Sequence, residues 1–152
     1  TLTIGGSRVD PTLELEVAVE NRGDAPLDAR LGIEWDLMFL GGGGNPAAFH
    51  RIAGERLPHD SRGERAGLAE LAAGNDYVGA EVAMALEPAA DAWWFPIETI
   101  SNSEAGFERV YQGSCTLVSW PLRLPPGGRH RVAIRAAVAV SRDRAAEGRA
   151  GA

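Results

Sequence analysis

Residues 13–20 read Leu-Glu-Leu-Glu-Val-Ala-Val-Glu, and this alternation of apolar and acidic side chains indicates the fold. Successive side chains of a β-strand point to opposite faces, so a period of two predicts a strand with one buried face and one hydrated, acidic face. The next six residues, Asn-Arg-Gly-Asp-Ala-Pro at 21–26, are dense in turn formers. The alternation then resumes at residues 31–39, and we predict that the two strands form a hairpin.

The second strand of this pair is apolar on both faces near its end. One face carries Leu31, Ile33, Trp35, Leu37 and Phe39. Trp35 therefore reads as a core residue. Met38 and Leu40 on the other face are apolar as well, which predicts that the distal end of the strand is covered on both sides.

Strand patterns continue along most of the remaining chain, at residues 78–86, 93–100, 107–111, 114–120 and 130–140. The four glycines at 41–44 predict a mobile surface loop. Residues 47–76 fit either one helical turn around Leu68 and Leu71 or a short edge strand. About seven strands at hairpin spacing predict an all-β, antiparallel β-sandwich. We expect residues 1–140 to form one domain and residues 141–152 to be a flexible tail.

Composition excludes several classes of function. The chain has 152 residues, a net charge of −6, and only Arg among its fifteen basic residues. Without a clustered basic groove we expect no nucleic-acid partner. No apolar run of about 18 residues is present, so we expect no membrane partner. The start has neither Met nor a signal-like core, which suggests a piece of a longer polypeptide.

Cys115 is the only cysteine, which excludes an intramolecular disulfide and a thiolate zinc site. We expect a cytoplasmic protein in which Cys115 is a small buried side chain within an alternating strand. Residues His50, His59 and His130 are scattered, and none has the spacing of a metal site. We therefore predict no metal and no cofactor.

The segment from Trp93 to Ser114 is richest in unusual residues. Neighbouring strand residues face opposite ways, so Trp93 and Trp94 cannot both lie in one core. Phe95 and Ile97 share a face with Trp93, which predicts that Trp93 is buried. Trp94 would then face a ligand, a partner domain or a loop of its own domain, and an exposed indole offers a stacking surface for sugar rings.

The same segment offers little for catalysis. Glu98, Glu104 and Glu108 could supply the two carboxyl groups of a retaining glycosidase, but carboxylates beside a turn more often cap backbone N–H groups or pair with Arg. Ser101 and Ser103 have no nearby His, so a nucleophilic triad is not supported. We predict no catalytic residue in this chain.

Residues 93–114 resemble the C-terminal β-sandwich domain of glycoside hydrolase family 57, the α-amylase and 4-α-glucanotransferase group. Residues 20–27 and the turn and strand from Pro125 onward are similar too. The resemblance covers most of residues 12–140 and is weakest at 41–76. It implies a sandwich of the galactose-mutarotase-like (supersandwich) type. It also implies that the catalytic carboxylates belong to an N-terminal barrel, none of whose motifs occurs here.

This resemblance predicts a non-catalytic accessory domain of an α-glucan-processing enzyme. Its partners would be the catalytic barrel and, as a second contact, an α-glucan chain. The expected carbohydrate or interdomain contacts are Trp94, Phe95, Glu98, Ser101, Ser103, Glu104, Phe107, Glu108, Tyr111 and Gln112.

Two alternatives stay open at this point. The first is a stand-alone carbohydrate-binding module. The second is a mutarotase-like sugar epimerase, which needs a general acid and a general base on either side of a sugar ring. Only His50 or His59 with Glu98 or Glu108 could supply that pair, and fold kinship alone does not transfer activity.

Overall fold

The computed structural model describes residues 1–6, 11–103 and 106–140. The predicted tail at 141–152 lies outside the described residues. All regular secondary structure within them is β, in nine strands: β1 (Leu2–Gly6), β2 (Thr12–Glu20), β3 (Leu27–Leu37), β4 (Ala48–Ile52), β5 (Glu55–Pro58), β6 (Gly63–Asn75), β7 (Ala80–Ser103), β8 (Gly106–Leu124) and β9 (Arg129–Val140).

All strand pairings are antiparallel, and strands β6 and β7 join two layers. The first layer has the order β1-β2-β9-β7-β6-β4-β5. In the second, β8 lies between β3 and β7. Residues 80–87 of β7 pair with β9, and residues 91–103 pair with β8. The change of partner falls at Pro88, which has no N–H to donate to a ladder.

The two layers enclose one core. Val132 and Ile134 of β9 lie in the same buried cluster as Val118 and Trp120 of β8. The indole N–H of Trp120 donates to the carbonyl of Pro88 at 2.8 Å, which satisfies the polar atom of a buried ring. The predicted antiparallel β-sandwich is therefore confirmed.

The predicted hairpin of β2 with β3 is wrong. Strand β2 pairs with β1 and β9, whereas β3 pairs with β8. The turn at 21–26 carries the chain from one layer to the other. The side-chain amide of Asn21 donates to the carbonyls of Ala25 at 2.8 Å and Leu124 at 2.9 Å. This turn is therefore attached to the end of β8, and period two cannot distinguish such a crossing from a hairpin.

Residues 47–76 follow the strand alternative. They form β4, β5 and β6, and Leu68 and Leu71 are buried on β6. Trp35 is partly buried against the core, as predicted. Met38 and Leu40 are about two-thirds exposed, so the prediction that this end is covered on both sides is wrong for the described residues.

Candidate functional site

The two neighbouring tryptophans point opposite to the prediction. Trp94 is 6% exposed in the core, and its indole N–H donates to the Ser61 hydroxyl at 3.2 Å. Trp93 is 49% exposed. The inward face of β7 carries small or compact neighbours, Ala92 and Pro96, which leave room for one large ring. The prediction chose the face of Trp93 because that face carries more apolar residues. It did not consider that a buried indole ring needs small neighbours in a close-packed core.

The outward face of β7 presents two aromatic side chains, Trp93 and Phe95, with Phe95 39% exposed. Trp93 lies directly between Leu117 of β8 and Glu64 of β6. The predicted contact residue Phe95 is thus on the surface, beside Trp93 rather than Trp94.

Beyond the core, β7 and β8 continue as a two-stranded ribbon formed by residues 98–103 and 106–111, which we call the arm. Within the described chain these residues pair only with one another. Ile100 is 73% exposed and Phe107 is 85% exposed. An isolated two-stranded ribbon is marginally stable in water, and large exposed apolar side chains on one are typical of an interaction surface.

The predicted contact residues on the arm are distributed along both strands. Ser101 pairs with Glu108, and both are exposed. Ser103 pairs with Gly106. Glu104 lies outside the described residues. Gln112 occupies a β-bulge at the root of the arm, and its amide donates to the Thr99 hydroxyl at 3.2 Å.

Charged groups fix the root of the arm. The Glu98 carboxylate accepts from Arg62 at 2.7 Å, and the guanidinium of Arg109 lies 3.5 Å from the same oxygen. Arg109 is therefore paired with Glu98, which lies opposite Tyr111 at the root of the arm. The two guanidinium groups, of Arg62 and Arg109, therefore hold the Glu98 carboxylate in place.

A buried polar cluster lies under the root of the arm. His50 and His59 are each 1% exposed, and their rings stack with centroids 4.5 Å apart. His50 Nε2 donates to the His59 carbonyl at 3.1 Å. The Tyr111 hydroxyl lies 2.6 Å from His59 Nδ1 and 2.8 Å from the Ser114 hydroxyl. The hydroxyl of Ser114 donates to the His59 carbonyl.

Burial controls the protonation of this cluster. Burial, aided by the neighbouring His50, lowers the pKa of His59 to about 4. Burial also lowers the pKa of His50, against the opposing effect of its hydrogen bond to the His59 carbonyl. Both rings are therefore neutral near pH 7. Burial raises the pKa of the Tyr111 hydroxyl, so this group is neutral as well.

This geometry does not provide the acid–base pair of an epimerase. The contacts of His50 and His59 are with each other, Tyr111, Ser114 and the Phe39 ring. Glu98 is held by two arginines. Within the described residues, neither Glu98 nor Glu108 is among the contacts of His50 and His59. An epimerase would need a carboxylate and a His facing each other across a cleft.

The single cysteine has an environment that disfavours reactivity. Cys115 is 1% exposed, and its sulfur and the carboxylates of Glu34 and Asp36 lie within 4.8 Å of one another. Burial and these negative charges raise the pKa of the Cys115 thiol to about 12. Reactive cysteines need the opposite, an electropositive setting that stabilises the thiolate.

The fold defines the class of protein. A putative aldose 1-epimerase from Escherichia coli K12 has the same fold, with a TM-score of 0.63 and 13% identity over 86% of this chain and 57% of that chain. A galactose mutarotase related enzyme from Lactobacillus acidophilus has a TM-score of 0.58 and 11% identity over 93% of this chain and 61% of its own. The protein is thus a β-sandwich of the galactose-mutarotase-like type.

The family is shown by the sequence. The family model described as Alpha-amylase/4-alpha-glucanotransferase, C-terminal, matches residues 7–134, and the chain belongs to this family. This result confirms the resemblance to the C-terminal domain of glycoside hydrolase family 57. Alpha-amylase 1 of Dictyoglomus thermophilum is 34% identical over 118 residues, which are 77% of this chain and 17% of that protein.

The solved structure of 4-alpha-glucanotransferase from Thermococcus litoralis contains the same fold. Its TM-score is 0.59 and its identity 23%, over 90% of this chain and 18% of that chain. The chain therefore spans less than one fifth of the length of these two relatives. Within the described residues, no helix is long and apolar enough to cross a membrane.

Sequence reasoning missed Ile100, although Phe107 on the partner strand was among the predicted contacts. Ile100 pairs with Arg109 on the part of the ribbon that extends beyond the core, which leaves it exposed. The His50–His59 contact needs the pairing of β4 with β5, which the sequence of that segment did not reveal. The exposure of Trp93 could have been inferred from Asp91, which lies two residues before it on the same face.

Proposed function

We propose that this chain is a non-catalytic accessory domain of an α-glucan-processing enzyme, which packs on the catalytic barrel through the arm and contributes to glucan binding. The observation that carries the proposal is the pair of large apolar side chains on the arm, Ile100 and Phe107, exposed by 73% and 85%. Such exposure on a ribbon that cannot bury its own faces favours a surface that is covered by another domain.

The size of the relatives supports a catalytic domain as the occupant. This chain corresponds to 17% of the α-amylase and 18% of the glucanotransferase that it matches. Most of the chain of each relative lies outside the region that this protein resembles, which leaves room for a separate catalytic domain. Met38 and Leu40, which are exposed and apolar, add to the docking surface near the root of the arm, where Met38 lies beside Gly113.

The composition of the arm suits an interface between domains. Interdomain surfaces are more polar than a protein core and richer in aromatic side chains than free surface. The arm combines Ile100 and Phe107 with the polar groups of Ser101, Glu108 and Arg109. The chain has one cysteine, Cys115, which is buried and forms no disulfide. This fits a reducing compartment, and we propose that the enzyme is cytoplasmic.

A charge placed on the arm tests the docking proposal. Phe107→Asp is expected to lower the thermal stability and the activity of the complete natural polypeptide that carries this sequence, because a carboxylate would be buried between domains without a partner. Tyr77→Asp is the matched control, since Tyr77 is also exposed, by 80%, but lies in a turn at the other end of the sheet. Equal behaviour of the two variants would contradict docking through the arm.

Calorimetric titration with maltooligosaccharides separates the accessory role from a stand-alone carbohydrate-binding module. An accessory domain is expected to bind weakly by itself and to act on sugars together with the catalytic domain. Tight binding by this chain alone would favour the module. Sugar turnover by this chain alone would contradict both readings.

A further inference from the structure

A recess of about 440 Å³ lies beside the exposed Trp93 on the outward face of the second layer. Sites for small ligands commonly have volumes of roughly 300–1,000 Å³. We call this feature the Trp93 recess, and it is lined by Arg30, Glu64, Arg65, Ala66, Asp91 and Trp93. It is separate from the arm and from the buried His cluster, and the docking of a catalytic domain through the arm does not use it.

Two polar groups of the recess, Arg30 and Asp91, are held by hydrogen bonds. The guanidinium of Arg30 donates to Asp91 at 3.0 Å and to the Ser119 hydroxyl at 2.9 Å. The second oxygen of Asp91 accepts the backbone N–H of Gly67 at 3.3 Å. Arg30 and this N–H hold the pKa of the Asp91 carboxyl below its usual range, so it is an ionised acceptor near pH 7.

A break in strand β6 creates the edge of the recess. The register between β6 and β7 shifts between Arg65 and Leu68 and again between Leu68 and Glu70. Gly67 has a φ of +68°, a left-handed conformation that favours glycine. Bulges of this kind re-aim side chains and are over-represented beside binding sites. Here the bulge directs the Gly67 N–H at Asp91.

We propose that the Trp93 recess binds a glucosyl unit of an α-glucan chain, an inference that rests on the proposed function as part of a glucan-processing enzyme. An exposed indole face stacks on the apolar face of a sugar ring. The Asp91 carboxylate accepts hydroxyl hydrogen bonds, and the Arg30 guanidinium donates them. Phe95, two residues along the same strand face, extends the aromatic surface for a second unit.

The charges of the recess favour a neutral ligand. The lining carries two carboxylates, Glu64 and Asp91, and two guanidinium groups, Arg30 and Arg65. Arg30 is paired with Asp91, and Arg65 lies 3.5 Å from Glu55 outside the lining. Because both guanidinium groups already have carboxylate partners, the recess does not attract a phosphorylated ligand strongly. An uncharged polyhydroxyl ligand can use donors and acceptors of both kinds, and this complementarity selects a saccharide over a nucleotide.

The test measures retention of the complete natural polypeptide in gels that contain amylopectin, with turnover of maltoheptaose as the measure of the catalytic site. W93A is expected to weaken the affinity for amylopectin by about tenfold, because the stacking surface is removed. W93F keeps an aromatic ring and is expected to retain most of the affinity. Y77A, which removes an exposed aromatic side chain outside the recess, is the matched control. Turnover of maltoheptaose should stay unchanged in the control variant.

The outcomes separate this inference from the proposed function. If W93A is retained as strongly as the unmodified polypeptide, or if Y77A loses as much affinity for amylopectin as W93A, the Trp93 recess is not a sugar site. Glucan binding by another part of the polypeptide would still be consistent with either result. Absence of retention of the unmodified polypeptide would remove the glucan-binding part of the proposed function itself. A fall in thermal stability of W93A without a change in retention would identify Trp93 as an interdomain contact and would overturn the inference.

Discussion

At the scale of single residues, the placement of Trp94 depends on what lies opposite it. Gly63 of β6 pairs with Trp94, and a Cβ atom at this glycine would overlap the indole ring. The absence of a side chain at position 63 is therefore what allows the large ring to occupy the core. The sequence of β7 alone does not predict which tryptophan is buried, because it does not tell which residue of the neighbouring strand lies opposite each ring.

The Gly63→Ala variant tests this packing. It is expected to destabilise the chain by about 1–3 kcal/mol, because Trp94 must leave its position to avoid the added methyl group. Denaturant unfolding measures the free energy of unfolding. Gly5→Ala is the control, since nothing lies within 4 Å of a Cβ atom there. A Gly63→Ala chain as stable as the unmodified one would contradict the packing described for Trp94.

The buried histidines make the stability of the fold depend on pH. The pKa of His59 is about 4 in the folded chain, below the value near 6.5 of an unfolded His. As the pH falls below 6.5, the unfolded chain binds the proton first. The stabilisation is thus fully present above about pH 6.5 and is lost as the pH falls toward about 4.

We expect the free energy of unfolding to fall by up to about 3 kcal/mol across this window. Urea unfolding at a series of pH values between 6.5 and 4.5 measures the slope. Carboxylates with lowered pKa values, such as Glu20 and Asp91, lose their stabilisation below this range. His59→Gln should reduce the slope to the part contributed by His50, whose pKa is lowered as well, and a flat profile of the unmodified chain would show that the His cluster is not buried as described.

At the scale of the elements, the alternation of side chains predicted strands well and their partners poorly. The strands at 13–20, 31–39 and 130–140 were all predicted from the alternation of side chains, and each is present, although the second begins earlier and ends at Leu37. Their pairing is different because the turn after β2 is held by contacts that are distant in the sequence. The carbonyl of Leu124, which accepts from Asn21, is 103 residues away.

Asn21→Ala tests the role of this turn. Its side chain is buried, makes two donor bonds and accepts the N–H of Gly23 at 3.0 Å. Its loss removes the donor to the carbonyl of Leu124 at the end of β8 and to that of Ala25 in the turn, and we expect a cost of about 2–3 kcal/mol in the free energy of unfolding. Asp24→Ala, in the exposed part of the same turn, is expected to change stability by no more than about 0.5 kcal/mol. Equal effects of the two substitutions would contradict the anchoring role of Asn21.

At the scale of the whole molecule, the family resemblance supplied what local patterns could not. Period two indicates an all-β protein, but it does not reveal that β6 and β7 each serve both layers. The contact segment 93–114 was predicted as one surface. The structure divides it into a buried part around Trp94, an outward aromatic face at Trp93 and Phe95, and an arm. The direction of each side chain depends on register, which distant strands determine.

We propose above that another domain covers the arm in the complete natural polypeptide. Thiol labelling tests it, because Cys115 is buried and provides an unreactive background within this chain. Cysteine is introduced separately by Phe107→Cys and Tyr77→Cys, at positions of similar exposure in this chain, 85% and 80%. Labelled sites are identified by mass spectrometry.

We expect the thiol at position 107 to react more slowly than the thiol at position 77 by roughly tenfold or more, because the docked domain must detach from the arm before the reagent can enter. Equal labelling rates at the two positions in the complete polypeptide would contradict docking through the arm.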